Sequence, residues 1–234
     1  MQVFLGQLLS ANGDILFLSP EESKHCVKVL RHKVGDVIHV IDGTGNFFEA
    51  ELTSINPERC TAKALNKKYV GAKKPYRLHI AISPTKNPDR IEWLIEKGTE
   101  LGVDEFSFII CKRTEKTGTR IDRFKKIAES AVKQSVQGII PMIHEGISLK
   151  DFIAQQKNSD SKKFIAHCLD EKKKDLKDLA AEKNILVLVG PEGDFTPEEI
   201  NLALENGFEA LSLGDSRLRT ETAGLFVAAG LRAL

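Results

Sequence analysis

The run Ile185-Leu186-Val187-Leu188-Val189-Gly190-Pro191-Glu192-Gly193-Asp194-Phe195 decides how the chain is organised. Its opening residues are all apolar and mostly β-branched. A strand with one wet face would carry a polar residue at every second position, so this one reads as covered on both faces. Glycines and a proline then break the run. Glycine allows close backbone approach and positive φ, and proline stiffens the turn. Thr196-Pro197-Glu198-Glu199 follows as a capping box with proline at the first helical position, which predicts a helix to about Asn206. Strand, tight turn and helix in that order make one unit of a parallel sheet covered by helices.

The alternation continues on both sides of this run. Leu78, Ile80 and Ile82 alternate as a strand, and Asn87-Pro88 opens a helix with Ile91, Leu94, Ile95 and Leu101 on one face, stopped by Gly102. Phe106–Cys111 reads as a strand, Asp122–Gln137 as a helix ended by Gly138, and Met142–His144 as a short strand before a helix from Ser148. Phe164–Cys168 is a further strand, followed by an expected Lys-rich helix. Leu211–Leu213 is the last strand, and a helix from about Glu221 to Leu234 closes the chain. The carboxyl-terminal part is thus expected to be α/β with a parallel sheet.

The first third has a different pattern. Gly13-Asp14 leads into a strand at Ile15–Leu18, and Val37–Ile41 meets a turn cluster at Asp42–Asn46 before a strand at Phe47–Ile55. Arg59–Leu65 suggests another strand, and Ser19-Pro20-Glu21-Glu22 caps a helix to about Leu30. Short strands with one helix predict a small barrel or curled sheet. Lys67–Pro75, basic and broken by Gly71 and Pro75, reads as a linker, giving expected domains 1–72 and 73–234.

The composition excludes several classes. The 41% hydrophobic content is too high for disorder, and no apolar run approaches a membrane span. Met1-Gln2-Val3-Phe4-Leu5 has no basic region and no signal-peptide core, which predicts a cytoplasmic location. Cys26, Cys60, Cys111 and Cys168 are widely spaced, without a C-x-x-C, and are expected to be buried thiols. The phosphate-loop, dinucleotide and nucleophile-elbow motifs are absent, and the scattered histidines suggest no metal site. The net charge of +1 argues against a wholly basic nucleic-acid binder but conceals two local runs. Lys112–Lys133 carries five more basic than acidic residues, and Glu192–Glu209 holds acids without a base. Such a basic stripe could hold a polyanion. Its Arg123–Lys133 part could equally be the solvated face of a helix.

Two segments could carry chemistry, since ligands of parallel sheets collect beyond the carboxyl ends of strands. The exposed N–H groups of Gly190–Gly193 and the helix start behind them could hold polar ligand atoms; a tight turn is the plain alternative. In Leu213-Gly214-Asp215-Ser216-Arg217-Leu218-Arg219-Thr220-Glu221-Thr222-Ala223, Arg219 could stabilise an anion. Alternatively Thr220 or Thr222 caps the final helix, Glu221 complements its dipole and the arginines are surface.

Five motifs in order resemble one family. They are His25-x-x-x-Val29-Leu30-Arg31-x-x-x-Gly35-Asp36; Lys86 with Asp89-Arg90 and Lys97-x-x-Glu100-Leu101-Gly102-Val103; Gln134-Ser135 before Pro141; Gly190-Pro191-Glu192-Gly193; and Leu213-Gly214-x-x-x-Leu218-Arg219-x-Glu221-Thr222-Ala223. Together they resemble the bacterial 16S rRNA (uracil-N3)-methyltransferases, the ribosomal small-subunit methyltransferase E family of the SPOUT class. The chain departs from the family at Asp194, where a third glycine is usual, and at Gln137, near which an arginine is common.

The resemblance implies an amino-terminal PUA-like β-barrel that binds RNA and a SPOUT methyltransferase domain whose parallel sheet is tied in a trefoil knot. It implies S-adenosylmethionine as cofactor, held bent by Leu169, Val189, Gly190, Pro191, Glu192, Gly193, Leu213, Gly214, Leu218 and Ala223. Arg219 and Glu221 become the catalytic candidates. Lys24, Arg31, Lys86, Arg113, Arg120 and Arg123 become candidates for gripping RNA. The partners implied are 16S rRNA of the small ribosomal subunit and a second copy of the chain in a homodimer. The competing readings are a non-catalytic RNA-binding protein with a degenerate methyltransferase domain and a phosphate-binding α/β enzyme.

Overall fold

In the computed structural model, residues 1–9, 14–71, 74–169 and 172–234 are described. The chain forms two compact units, one of Met1–Lys73 with Glu129–Ile140 and the other of Lys74–Ala128 with Pro141–Leu234. The expected turn at Gly13 and the expected break at residues 72 and 73 lie outside the described residues.

The first unit is a closed five-stranded barrel in the order β1-β2-β5-β4-β3, from β1 (Val3–Leu8), β2 (Ile15–Leu18), β3 (Val37–Ile41), β4 (Asn46–Ser54) and β5 (Thr61–Tyr69). β1, for which no strand was expected, pairs with β2 antiparallel and with β3 parallel and so closes the barrel. Phe48, Ala50 and Leu52 point inward at period two and pack with Phe4, Leu16 and Val40. Lys67, Lys68 and Tyr69 are not linker but the end of β5, paired with Phe48, Phe47 and Asn46. Cross-strand packing outweighs charge there: the Lys68 ammonium lies 4.5 Å from the centre of the Phe47 ring. Ser19 caps helix α1 (Pro20–Lys24), which continues as a π-helical turn over His25–Val29 and ends on Arg31 at φ 57°. Val132 packs with Val3, Ile41 and Phe47, and the Gly45 N–H donates to the Gly138 carbonyl at 2.8 Å.

The second unit holds a seven-stranded sheet in the order β10-β12-β9-β11-β6-β7-β8. The strands are β6 (Arg77–Ile82), β7 (Glu105–Ile110), β8 (Met142–Ser148), β9 (Lys162–Ala166), β10 (Lys174–Asp175), β11 (Asn184–Val189) and β12 (Phe208–Ser212). Every pairing is parallel. β11 lies between β9 and β6 with Ile185–Val189 buried, as its unbroken apolar run requires. Leu186 and Leu188 face the layer that contains α4 (Leu149–Gln155) and α5 (Pro197–Glu205). On the other side α2 (Pro88–Glu100) and α6 (Thr220–Ala233) approach closely, because Gly224 leaves room for Leu94 and Ile82.

α3 (Ile121–Ser135) buries Phe124, Ala128, Ala131 and Val132 on one face. The expected Lys-rich helix after β9 is absent from residues 172–183. Lys174–Asp175 forms β10, and Leu176–Leu179 is a single 3-10 turn in which Asp175 and Asp178 cap each other's backbone. Leu176, Leu179 and Ala180 make one apolar turn, but Lys183 stands where the next apolar position of a helix would fall. Among the described residues no helix is long and apolar enough to cross a membrane.

Candidate functional site at the carboxyl edge of the sheet

Because the strands are all parallel, their carboxyl ends share one edge. Residues 83–87 follow β6, 111–116 follow β7, 167–169 follow β9, 190–196 follow β11 and 213–219 follow β12. Backbone and side-chain bonds tie these loops together. The Ser83 N–H donates to the Val189 carbonyl at 3.0 Å, and the Lys86 N–H to Glu192 Oε1 at 3.0 Å. The Lys112 N–H donates to Glu199 Oε1 at 2.7 Å. The Cys168 N–H donates to Asp194 Oδ2 at 2.9 Å. The Ser83 and Thr114 hydroxyls lie 2.7 Å apart, a pair with no signal in the sequence.

The turn after β11 does not use its glycines as expected. Neither Gly190 nor Gly193 has a positive φ; the left-handed position is Asp194, at φ 61°. Aspartate tolerates this region better than most residues. Its carboxylate also accepts the Phe195 N–H at 2.8 Å besides that of Cys168. A side chain stands where the resemblance implied a third glycine, and it links this turn to the end of β9. The glycines serve close approach instead. A Cβ on Gly190 would meet the Phe195 ring at 3.0 Å, and one on Gly193 would meet Arg113 Cδ at 3.3 Å.

The loop after β12 is separated from this turn by one strand, β9, or about 10 Å. Gly214 is left-handed at φ 98°, with no atom near its would-be Cβ. Arg219 is exposed and occupies the N-cap position of α6, so neither Thr220 nor Thr222 caps this helix. Thr220 and Glu221 are buried in its first turn. Glu221 is 6% exposed; its Oε1 lies 3.7 Å from Arg90 Nε, while Oε2 has no hydrogen-bond partner. A buried acceptor left this way is costly and invites a donor from a ligand.

Of the expected cofactor residues, Val189 ends β11, while Leu169, Gly190, Pro191, Glu192, Gly193, Leu213, Gly214, Leu218 and Ala223 belong to these loops or to the helix start behind them. Leu169, Gly193 and Gly214 are exposed, whereas Val189, Gly190 and Pro191 are buried. Cys168 is exposed, unlike the other cysteines, correcting the expectation that all four would be buried. Burial pushes the Cys111 thiol up to about 12, which makes it a poor nucleophile.

The expected RNA contacts are more scattered. Lys24 is exposed and pairs with Glu58 at 3.2 Å, and Arg31 is exposed on its left-handed turn. The Lys86 ammonium lies 3.0 Å from Glu115. Arg120 and Arg123 converge on Glu92 at 3.8 and 3.0 Å. Arg113 points its Nη1 at the Gly193 carbonyl, 2.7 Å away, an engagement that sequence spacing cannot reveal. Among the described residues no cluster of His, Cys, Asp or Glu is arranged to hold a metal ion.

A family model described as an RNA methyltransferase domain matches residues 72–232, and one described as an RNA methyltransferase PUA domain matches residues 18–65. The chain belongs to the RNA methyltransferase family. The ribosomal RNA small subunit methyltransferase E of Bacillus subtilis is 28% identical over 89% of this chain and 86% of its own length. A crystal structure of a probable rRNA-methyltransferase from Porphyromonas gingivalis is 34% identical, with a TM-score of 0.85 over 98% of this chain and 96% of that one. A ribosomal RNA small subunit methyltransferase E from Neisseria gonorrhoeae, bound to S-adenosyl methionine, is 28% identical, with a TM-score of 0.86 over 100% of this chain and 97% of that one.

Proposed function

We propose that the chain transfers a methyl group from S-adenosylmethionine to N3 of a specific uridine in 16S rRNA of the small ribosomal subunit. The observation that carries this reading is the junction of the glycine turn with the end of β9 through Asp194, on the edge where Glu221 buries an unpartnered carboxylate oxygen. The residues present fit the cofactor: close-packed glycine backbone, the open Gly214 and an acceptor in need of a donor suit a ligand held largely by backbone groups. The turn 189–193, the loop 213–218, Leu169 and Ala223 would hold it. When bound, it supplies an electrophilic methyl on a sulfonium.

The protein's part is alignment, charge and proton handling. N3 lies on the Watson–Crick edge, so the uridine must be unpaired or displaced when it reacts. The methyl would take the place of the N3 proton, so the chain must hold N3 in line with the methyl and give that proton an acceptor. Arg219, exposed at the start of α6, would stabilise negative charge on the uracil oxygens. Glu221, two residues further on, is the candidate to receive the proton. Holding the reacting atoms in line contributes up to about 7–11 kcal/mol in favourable cases. Lys24 and Arg31 on the barrel, with Lys86, Arg120 and Arg123, would contact RNA phosphates. The same reading includes the trefoil knot, a homodimer in which both subunits complete each site, and a cytoplasmic location.

The direct test is nucleoside mass spectrometry of small-subunit rRNA after incubation with the enzyme and cofactor. Formation of 3-methyluridine is expected. A methyl group on another base, or none, would overturn the reading.

A further inference from the structure

We infer that Arg113 is a positioning residue for the glycine turn, not a phosphate contact. Its importance for catalysis rests on the reading of that turn as the cofactor loop. Arg113 follows β7, and its Nη1 donates to the Gly193 carbonyl at 2.7 Å and approaches the Phe195 carbonyl at 3.4 Å. Those oxygens belong to two peptide planes, one on each side of the Asp194–Phe195 pair. A peptide unit is rigid, so holding its oxygen and its N–H fixes its orientation. Both planes are held in this way. The Asp194 N–H donates to the Pro191 carbonyl at 2.9 Å, and the Thr196 N–H to Glu199 Oε2 at 2.9 Å. The guanidinium therefore bridges the two planes that flank the Asp194–Phe195 pair, whose first residue is left-handed. Left-handed backbone is unfavourable for a residue with a Cβ and persists where the surroundings over-determine it.

The side chain is itself held in place. Its stem lies over Gly193, with Cδ and Cβ at 3.3 and 3.5 Å from where a Cβ would stand, which accounts for glycine at that position. Its loop is pinned on both sides. The Lys112 N–H is bound by Glu199, and Thr114 Oγ1 accepts the Cys111 N–H at 2.9 Å while touching Ser83. Glu199 thus holds one N–H of the Arg113 loop and one of the glycine turn, joining them a second time. Both contacts leave Nη1, whose two N–H groups are fixed in the guanidinium plane, a geometry that the rotating ammonium of lysine reproduces only in part.

The test compares wild type with Arg113→Ala and Arg113→Lys by four measurements. Calorimetric titration of S-adenosylmethionine should show about tenfold weaker binding by the alanine variant, the scale of one charge-assisted hydrogen bond. The lysine variant should recover part of the loss. In turnover, KM for the cofactor should rise by more than kcat falls. The slope of log affinity for RNA against log salt should stay as in wild type. Unchanged cofactor affinity with a slope shallower by about 0.7 would make Arg113 a phosphate contact and overturn the inference. Hydrogen exchange at the Asp194 and Thr196 amides, measured without cofactor, decides the brace by itself. Faster exchange in Arg113→Ala upholds it, and equal exchange overturns it. If wild type fails to bind the cofactor, the reading of the turn falls, and the exchange result still decides what Arg113 does.

Discussion

At the scale of single residues, the site contains groups whose placement opposes stability. Glu221 keeps a carboxylate oxygen buried without a hydrogen-bond partner. Its other oxygen lies 3.7 Å from Arg90 Nε, a pairing that works in the opposite direction. Glu221→Met removes both the burial cost and this pairing, so the stability of the cofactor-free protein is expected to stay within about 1 kcal/mol of wild type in urea unfolding. The same change should slow single-turnover methylation by roughly 100-fold or more if the carboxylate receives the proton. A full rate would remove Glu221 from the chemistry. Asp194 shows the opposite balance: it occupies a left-handed position, and its carboxylate binds two backbone N–H groups. Asp194→Ala keeps the conformational penalty and loses the bonds, so a loss of about 2 kcal/mol is expected in urea. A loss below about 0.5 kcal/mol, the usual range for an unremarkable surface change, would mean that the turn does not depend on this side chain.

At the scale of elements, legibility follows how local the causes are. β11 was readable because a strand covered on both faces leaves a continuous apolar run, and α5 because Thr196 and Glu199 cap each other within one turn. The end of β5 was not, because Lys67 and Lys68 owe their place to phenylalanines across the strand pair. The glycine turn could be located, but its left-handed residue and its brace could not, since Arg113 and Gly193 meet from positions 80 residues apart. Sheet packing likewise hides a titration. His79 on β6 bonds Ser107 at 2.8 Å and has Glu105, Arg77 and His144 around it. Burial holds its imidazole down at about 4, and the nearby Glu105 charge opposes this only in part. The unfolded chain takes up that proton near the ordinary value of 6.5, the folded chain only near 4. The stability linked to the neutral ring is therefore present above about pH 6.5 and is lost as pH falls toward 4. Between pH 7 and 5 this one group should cost about 2 kcal/mol. Urea unfolding of His79→Gln at both pH values should show a drop smaller by that amount. An equal drop in both proteins would place the acid sensitivity elsewhere.

At the scale of the whole molecule, the near-neutral charge conceals two runs with different jobs. The acids of Glu192–Glu209 are partly structural: Glu192, Asp194 and Glu199 accept backbone N–H groups of the loops on the carboxyl edge. The basic run is partly committed as well. Arg113 binds loop carbonyls, Arg120 and Arg123 share Glu92, and Lys133 pairs with Glu22. Counting all eight bases of Lys112–Lys133 as phosphate contacts would therefore overstate the electrostatic grip on RNA. Lys125 and Lys126 are exposed on the outer side of α3, where Phe124 and Ala128 turn inward. Each phosphate contact on single-stranded RNA contributes about 0.7 to the slope of log affinity against log salt. A Lys125→Ala, Lys126→Ala double variant should thus have a slope shallower by about 1.4, with affinity lost mainly at low salt. Its cofactor affinity, measured without RNA, should remain that of wild type, because neither lysine lies on the carboxyl-edge loops. An unchanged slope would mean that this face of α3 is only solvated, leaving RNA recognition to the barrel and the loops at the sheet edge.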